Sequence, residues 1–377
     1  MTTEAGLLIE LMDDPILDTI DVEMILEYEK RLAQLPSDIF RAKQRHEVSS
    51  LHELIRIAED KQLARKTQQT IRGHIGRVGE IMNFAVRTHM MSYNPAADYK
   101  RRRGRSNLRR AQDEREVFDS KELTLIFSQD WYKTGRCEPV ARPSDWTVWR
   151  PFHYWLPLLG LLTGGRLNEL SQLYLDDIKK TPEGTWFIDF NIEQSDKIED
   201  GDKSLKTANS LRVVPTHRVL VSLGLPTYVE SLRTAGEKRL FPGLTRNYIK
   251  RYGKPAGSWF NEKLLGRRLG IPRDGKKTFH SLRHGFITAL ERQDTPERTI
   301  AQLAGHERGS SQSATRYAKD RGANMLVAIV DALDFDFLHS IVPFDIGAGH
   351  VSLEVARRRK SDLKRAQLQR AAATTSI

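Results

Sequence analysis

Two histidines and an arginine in the last third of the chain raise the first chemical question. His280-Ser281-Leu282-Arg283-His284 puts His280 and Arg283 three residues apart, so on a helix both project from one side. An imidazole held beside a guanidinium suits a phosphate, because the fork supplies paired donors and the ring adds another. A helix with ordinary surface basics would read the same way, so this run alone decides nothing. Upstream, Thr163-Gly164-Gly165-Arg166-Leu167-Asn168-Glu169-Leu170 follows an apolar stretch. Its glycines allow a sharp turn that brings Arg166 out near a new helix start. Downstream, His306 comes 22 residues after His284, and Tyr317, the last tyrosine, eleven after His306. A lone tyrosine is more often packing than nucleophile. The order Arg166, Lys206, His280, Arg283, His306, Tyr317 changes those odds, since all six suit one chemistry.

Elements of particular kinds must hold these groups. Tyr154 to Leu162 reads as a buried helix, and Ser120 to Phe127 as a short capped one. Trp186 to Phe190 and Leu211 to Pro215 read as strands, with Lys203 and Lys206 in the turn region between them. After about Thr216 the pattern is mostly helical, with loops at Phe241-Pro242-Gly243 and Gly270-Ile271-Pro272. Nearer the N-terminus, Leu63, Ile71, Ile75, Val78, Met82 and Ala85 recur on one helix face, and Tyr93-Asn94-Pro95 stops the stretch. Gly73, Gly76 and Gly79 make either a bare ridge for close approach of DNA backbone or helix, or glycines packed on a neighbour. The expected fold is mainly α with a small antiparallel β-sheet, an α+β arrangement.

Composition bounds the partner. Among 377 residues there are 60 Lys plus Arg against 49 Asp plus Glu, a net charge of +11. At about 150 residues per domain the length suggests two domains. The basic excess points to a polyanion, nucleic acid first. Hydrophobic residues at 39% with 29% charged argue against wholesale disorder. The single cysteine, Cys137, excludes a disulfide framework and a cysteine-cluster metal site. No apolar run reaches the roughly 18 residues of a membrane span, and the N-terminus does not read as a signal peptide. A cytoplasmic, nucleoid-associated protein without membrane contact is expected. Lys100 to Arg110 carries seven basic residues without an apolar period, and Arg101, Arg102, Arg103 and Arg105 are candidate contacts to a phosphate backbone. The expected organisation is a helical domain over 1–105, a basic linker over 106–114, a second domain over 115–340, and a basic tail over 341–377.

The stretches TGGRLNEL, KTANSLRVVP, FHSLRHGF, LAGH and TRYA, in that order, make residues 115–340 resemble the catalytic domain of the tyrosine recombinases, the phage integrase family. The helical segment before Asn94-Pro95 is similar to the family's core-binding domain, which clamps the other side of the DNA. The resemblance implies that Tyr317 attacks a DNA phosphodiester, forming a 3′-phosphotyrosine and freeing a 5′-hydroxyl without ATP, metal or other cofactor. Arg166 and Arg283 would hold the non-bridging oxygens. Lys206 would protonate the leaving oxygen, with Lys203 open for the same role. His280 would act as general base or hydrogen-bond partner, His306 as a further phosphate donor, and Glu169 would orient an arginine. Implied partners are double-stranded DNA, a homotetramer on synapsed sites, and accessory DNA-bending or directionality factors. Integration or excision of a mobile element is the expected role.

The gap from His306 to Tyr317 is about two residues longer than the family's usual one, which places extra loop ahead of the tyrosine. An N-terminal arm-binding domain, carried by larger integrases, is expected to be absent or to lie outside this sequence. Met325 to Phe337 reads as an apolar helix that packs at home or docks on a neighbouring subunit. A type IB topoisomerase has a similar site but acts as a monomer. A DNA-binding protein without catalysis would need only the charge. A zinc site from His280, His284 and His306 is disfavoured by the arginine between the first two.

Overall fold

A computed structural model describes residues 4–103, 116–136, 149–192, 203, 205, 210–247, 252–306 and 321–375, without the side chains of 100–103, 360, 363–364 and 366–375. The chain divides into two compact units, Met1–Leu108 and Arg109–Ile377.

The first unit is helical: α1 (Glu4–Leu11), α2 (Val22–Gln34), α3 (Ile39–His46), α4 (Leu51–Asp60), α5 (Gln68–Arg87) and α6 (Pro95–Arg103). Ile71, Ile75, Val78, Met82 and Ala85 bury one face of α5 against Ile25, Tyr28 and Leu32 of α2, in one core cluster. Leu63 lies ahead of α5 and is only partly buried. Thr67 caps α5 by accepting from the Thr70 amide at 3.2 Å. Glu4 fastens α1 to α5 through His74 (2.5 Å) and Arg77 (2.7 Å).

Asn94 starts α6, accepting from the Ala96 amide and donating to the Gly79 carbonyl, both at 2.9 Å. The start of the basic run thus lies within the helical unit. Arg101, Arg102 and Arg103 belong to α6 because Pro95 suits a first helical turn, Ala96 and Tyr99 bury on the unit's core, and arginine is a good helix former. Gly79 is the point where α6 passes close, since a Cβ there would stand 3.2 Å from that of Ala96. Helix packing thus explains this glycine.

The second unit is mostly helical with one three-stranded antiparallel sheet. Helices α7 (Ser120–Phe127), α8 (Asp130–Thr134), α9 (Pro151–Thr163) and α10 (Leu167–Ser171) precede β1 (Ile178–Lys180), β2 (Trp186–Phe190) and β3 (Arg212–Pro215). The sheet order is β1-β2-β3, with Ile188 opposite both Ile178 and Val214. Then come α11 (Arg218–Ser222), α12 (Leu225–Thr234), α13 (Gly253–Gly257) running on as a π-helix over Ser258–Arg268, α14 (Phe279–Arg292), α15 (Glu297–Ala304), α16 (Ala323–Asp331) and α17 (Ile346–Thr375). The capped helix expected at Ser120 is closed by a reciprocal Asp119–Glu122 box.

Helix α9 is the spine of this unit. All thirteen of its residues are buried, which is why it shows no amphipathic period. Helix α14 packs along it, and Gly160 makes room for the Phe279 ring, which a Cβ would meet at 2.7 Å. The sheet packs β3 beside α15 and α16. The apolar stretch from Met325 to Phe337 is not one helix: α16 stops at Asp331 and a short 3-10 turn follows over Asp336–Ser340. It packs at home, with Leu326, Val330, Leu333 and Phe337 in the core and Phe337 stacked on Phe127 at 4.4 Å. Among the described residues no helix is long and apolar enough to cross a membrane.

Candidate active site

Two glycine turns deliver two of the key side chains. Gly164 closes α9 in the left-handed conformation (φ 62°), and the Phe286 ring fills the space a Cβ would need. Arg166 follows and caps α10, its amide donating to Glu169 Oε2 at 2.9 Å. Gly305 closes α15 in the same way (φ 67°), and His306 follows. The two turns are then stitched by the arginines themselves. Arg283, on α14, donates from Nη1 to the Gly164 carbonyl at 2.6 Å. Arg166 donates from Nη2 to the Gly305 carbonyl at 3.1 Å, and from Nη1 to Glu169 Oε1 at 2.6 Å and Ser210 Oγ at 3.0 Å.

A third guanidinium lies beneath them. Arg212 of β3 is 1% exposed at its side chain and pairs with Glu169 Oε2 at 2.9 Å. Arg166 and Arg212 both pair with the buried Glu169 carboxylate and Arg283 feels its charge, so among the described residues this group carries two positive charges in excess. Burial alone would raise the Glu169 carboxyl, but the charge of Arg212 and the hydrogen bonds and charge of Arg166 hold it below the usual carboxylate range. Burial, then the charges of Arg166 and Arg212, lower Arg283 to about 9. It remains a cation at neutral pH. Its Nη2 is buried and has no hydrogen-bond partner among the described residues. A buried cationic donor of this kind has the chemistry to receive an anion.

His306 belongs to the same field. Loss of hydration, then the charges of Arg283, Arg166 and Arg212, lower its imidazole to about 4. At neutral pH it is a neutral ring that can donate one hydrogen bond without adding charge. Its folded value lies below the ordinary 6.5, so the unfolded chain binds the proton more tightly. Stability should therefore fall as pH drops through the window from 6.5 toward about 4. In NMR, the His306 ring signals should titrate with a midpoint near 4; a midpoint at or above the ordinary value would show that the arginines do not face this ring.

His280 sits one turn before Arg283 on α14, and its ring meets that of His284 edge-on at 4.8 Å. His284 in turn contributes to the field on His306. The structure therefore groups Arg166, Arg283 and His306 directly and sets His280 beside them through His284. Lys206, Tyr317 and Arg105 lie outside the described residues, as do the side chains of Arg101, Arg102 and Arg103. Among the described residues no cluster of three His, Cys, Asp or Glu could hold a metal.

Lys203 is committed elsewhere. Its side chain is 3% exposed, and its ammonium donates to Asp177 Oδ1 at 2.6 Å and Asn191 Oδ1 at 2.9 Å, against the Tyr174 ring. Sequence reading missed Arg212 and Ser210. The signal was present in Leu211-Arg212-Val213-Val214-Pro215, where a charged residue shares a buried strand face with Val214.

Residues 153–322, which contain this constellation, match the phage integrase family. This segment is a phage integrase domain. Its family is that of the tyrosine site-specific recombinases, and the helical integrase domain with its small sheet accords with that assignment. The chain is also similar to solved structures. It shares 14% identity with an integrase from mycobacterium phage Brujita (90% of this chain, 89% of that one, TM-score 0.35). With the Tn1549 transposon integrase in complex with transposon right end DNA it shares 14% (83% and 90%, TM-score 0.45), and with XerA recombinase 16% (89% and 86%, TM-score 0.31). No curated protein matches it.

Proposed function

We propose that this integrase cleaves and rejoins double-stranded DNA through a 3′-phosphotyrosine at Tyr317, integrating or excising a mobile element. The observation that carries the reading is the buried Arg283 Nη2, without a partner among the described residues and inside a cluster that there carries two excess positive charges. A scissile phosphate supplies both the missing acceptor and the counter-charge. The Tyr317 oxygen attacks phosphorus and passes its proton to His280. The bond to the 5′-oxygen breaks, and Lys206 protonates that oxygen. Arg166 and Arg283 stabilise the charge on the equatorial oxygens, and His306 adds a neutral donor. The ester bond energy stays in the phosphotyrosine, so the 5′-hydroxyl of another strand reverses the step without ATP. The first unit and the arginines at 101–103 and 105 supply further backbone contacts. Exchange between two duplexes requires four copies on synapsed sites, with DNA-bending or directionality factors setting the outcome. The protein acts in the cytoplasm, at the nucleoid.

The test uses a library of nicked duplexes with a randomised core, incubated with the full chain in EDTA. Covalent protein–DNA adducts that survive SDS are recovered, and the enriched duplex becomes the suicide substrate. Adduct formation without metal is expected. No adduct, or one abolished by EDTA, would overturn the mechanism.

The buried ion pair of Lys203 supports Lys206 as the proton donor. Lys206→Ala should slow cleavage by about 10²–10⁴-fold. A substrate with sulfur at the 5′-bridging position should restore the rate, because a thiolate leaves unprotonated. Lys203→Ala should instead destabilise the fold by about 3–5 kcal/mol, leaving Asp177 buried without its cation. Sulfur rescue of Lys203→Ala alone would reverse the assignment.

A further inference from the structure

Arg212 spends its whole side chain inside the protein. Nη2 donates to Glu169 Oε2, Nε to the Leu303 carbonyl and Nη1 to the Ser210 carbonyl, each at 2.9 Å. The guanidinium face lies 4.0 Å over the Phe190 ring. At 1% side-chain exposure it has no edge left for DNA. What it touches, however, is the underside of the phosphate site. Glu169 turns its other oxygen to Arg166 Nη1. Leu303 stands two residues before Gly305, whose carbonyl receives Arg166 Nη2 and whose turn delivers His306. Ser210 presents its hydroxyl to Arg166 as well. The last carbonyls of a helix lack partners within it, and Arg212 fills one of them at the end of α15.

We propose that Arg212 is a positioning residue, which fixes Arg166 and the His306 turn on the scissile phosphate by binding Glu169, Ser210 and Leu303 with one rigid fork. Stability alone is a weak reason to retain such a group. A buried ion pair is often replaceable by apolar residues of similar volume without loss of stability. The specific property of arginine here is planar geometry: three nitrogens reach three partners, on α10, on α15 and just ahead of β3, at fixed angles. Lysine carries the same charge but could serve only a fraction of them. This inference rests on the recombinase chemistry above and adds to it a residue that never meets substrate.

The experiment measures single-turnover cleavage by the full chain on the selected suicide duplex. It is run with an ordinary scissile phosphate and with a methylphosphonate in its place. The neutral methylphosphonate removes one negative charge that Arg166 and Arg283 must balance. Arg212→Met should slow phosphate cleavage by roughly 100-fold, with duplex affinity changed less than about threefold. On methylphosphonate the deficit should shrink to less than about tenfold, because a misplaced Arg166 matters less when there is less charge to hold. Arg212→Lys should stay at least about tenfold slow on phosphate.

Three results would overturn the proposal. Equal loss on both substrates would mark a general folding defect. A wild-type rate from Arg212→Met would mean that Arg166 needs no support. Full rescue by Arg212→Lys would mean that charge suffices without the fork. If the unaltered chain forms no adduct on any duplex, the recombinase reading itself fails, and this inference falls with it; that outcome is distinct because it involves no variant.

Discussion

Tyr317→Phe is expected to abolish the covalent adduct, lowering single-turnover cleavage by at least about 10⁴-fold, while duplex affinity changes less than about threefold. Phenylalanine keeps the ring and removes only the attacking oxygen, so a loss confined to chemistry identifies the nucleophile. Other tyrosines of the same unit argue for this choice. Tyr132, Tyr154, Tyr174, Tyr228 and Tyr252 are all in its core. Burial pushes the Tyr132, Tyr154 and Tyr228 hydroxyls up, and all three donate to backbone carbonyls, so none is placed to attack DNA. Tyr248 and Tyr317 lie outside the described residues, and only Tyr317 follows the His306 turn. The measurement is gel quantification of SDS-stable adduct on the suicide duplex. An undiminished adduct from Tyr317→Phe, lost instead in Tyr248→Phe, would transfer the role.

Arg283→Met should separate activity from stability. Cleavage should fall by about 10³-fold, since a donor aimed at the charge of the transition state is lost. Thermal stability should hold or rise by a few degrees, on the order of the usual response to 1 kcal/mol. The reason is electrostatic: Arg283 is buried beside Arg166 and Arg212, and one of its nitrogens has no partner among the described residues. Methionine removes that uncompensated charge and still fills the space beside α9. Nicked duplex should raise the melting temperature of the unaltered chain more than that of Arg283→Met. Single-turnover kinetics and thermal unfolding read both arms. A melting temperature many degrees lower in Arg283→Met would show that the bond to the Gly164 carbonyl is structural and that the unpaired nitrogen carries no penalty.

Much of the site was legible because its groups are delivered by local devices. Gly164 ahead of Arg166 and Gly305 ahead of His306 are turn signals readable from neighbours in sequence, and both glycines do adopt the left-handed conformation. His280 and Arg283 share a helix, so their relation follows from helical spacing. The strand Trp186–Phe190 was visible as a β-branched and aromatic run, whereas β1 was not, because three residues form a strand only when a partner is already present. The start of the basic run belongs to α6, where the buried contacts of Ala96 and Tyr99 carry the helix through Arg103.

By itself the sequence determined which chemical groups this protein carries, their order, and the turns and helices that present them. Tertiary structure decided which of them work together. Arg166 meets the Gly305 turn across 139 residues, Arg283 meets the Gly164 turn across 119, and Arg212 meets Glu169 across 43. It also decided that Lys203 is held by Asp177 and that Arg212 is buried against Glu169. Such pairings leave no trace in periodicity or propensity, which report only on neighbours a few residues away. They arise when the packing of α14 on α9 and of β3 on α15 buries charged groups together, where each must find a partner.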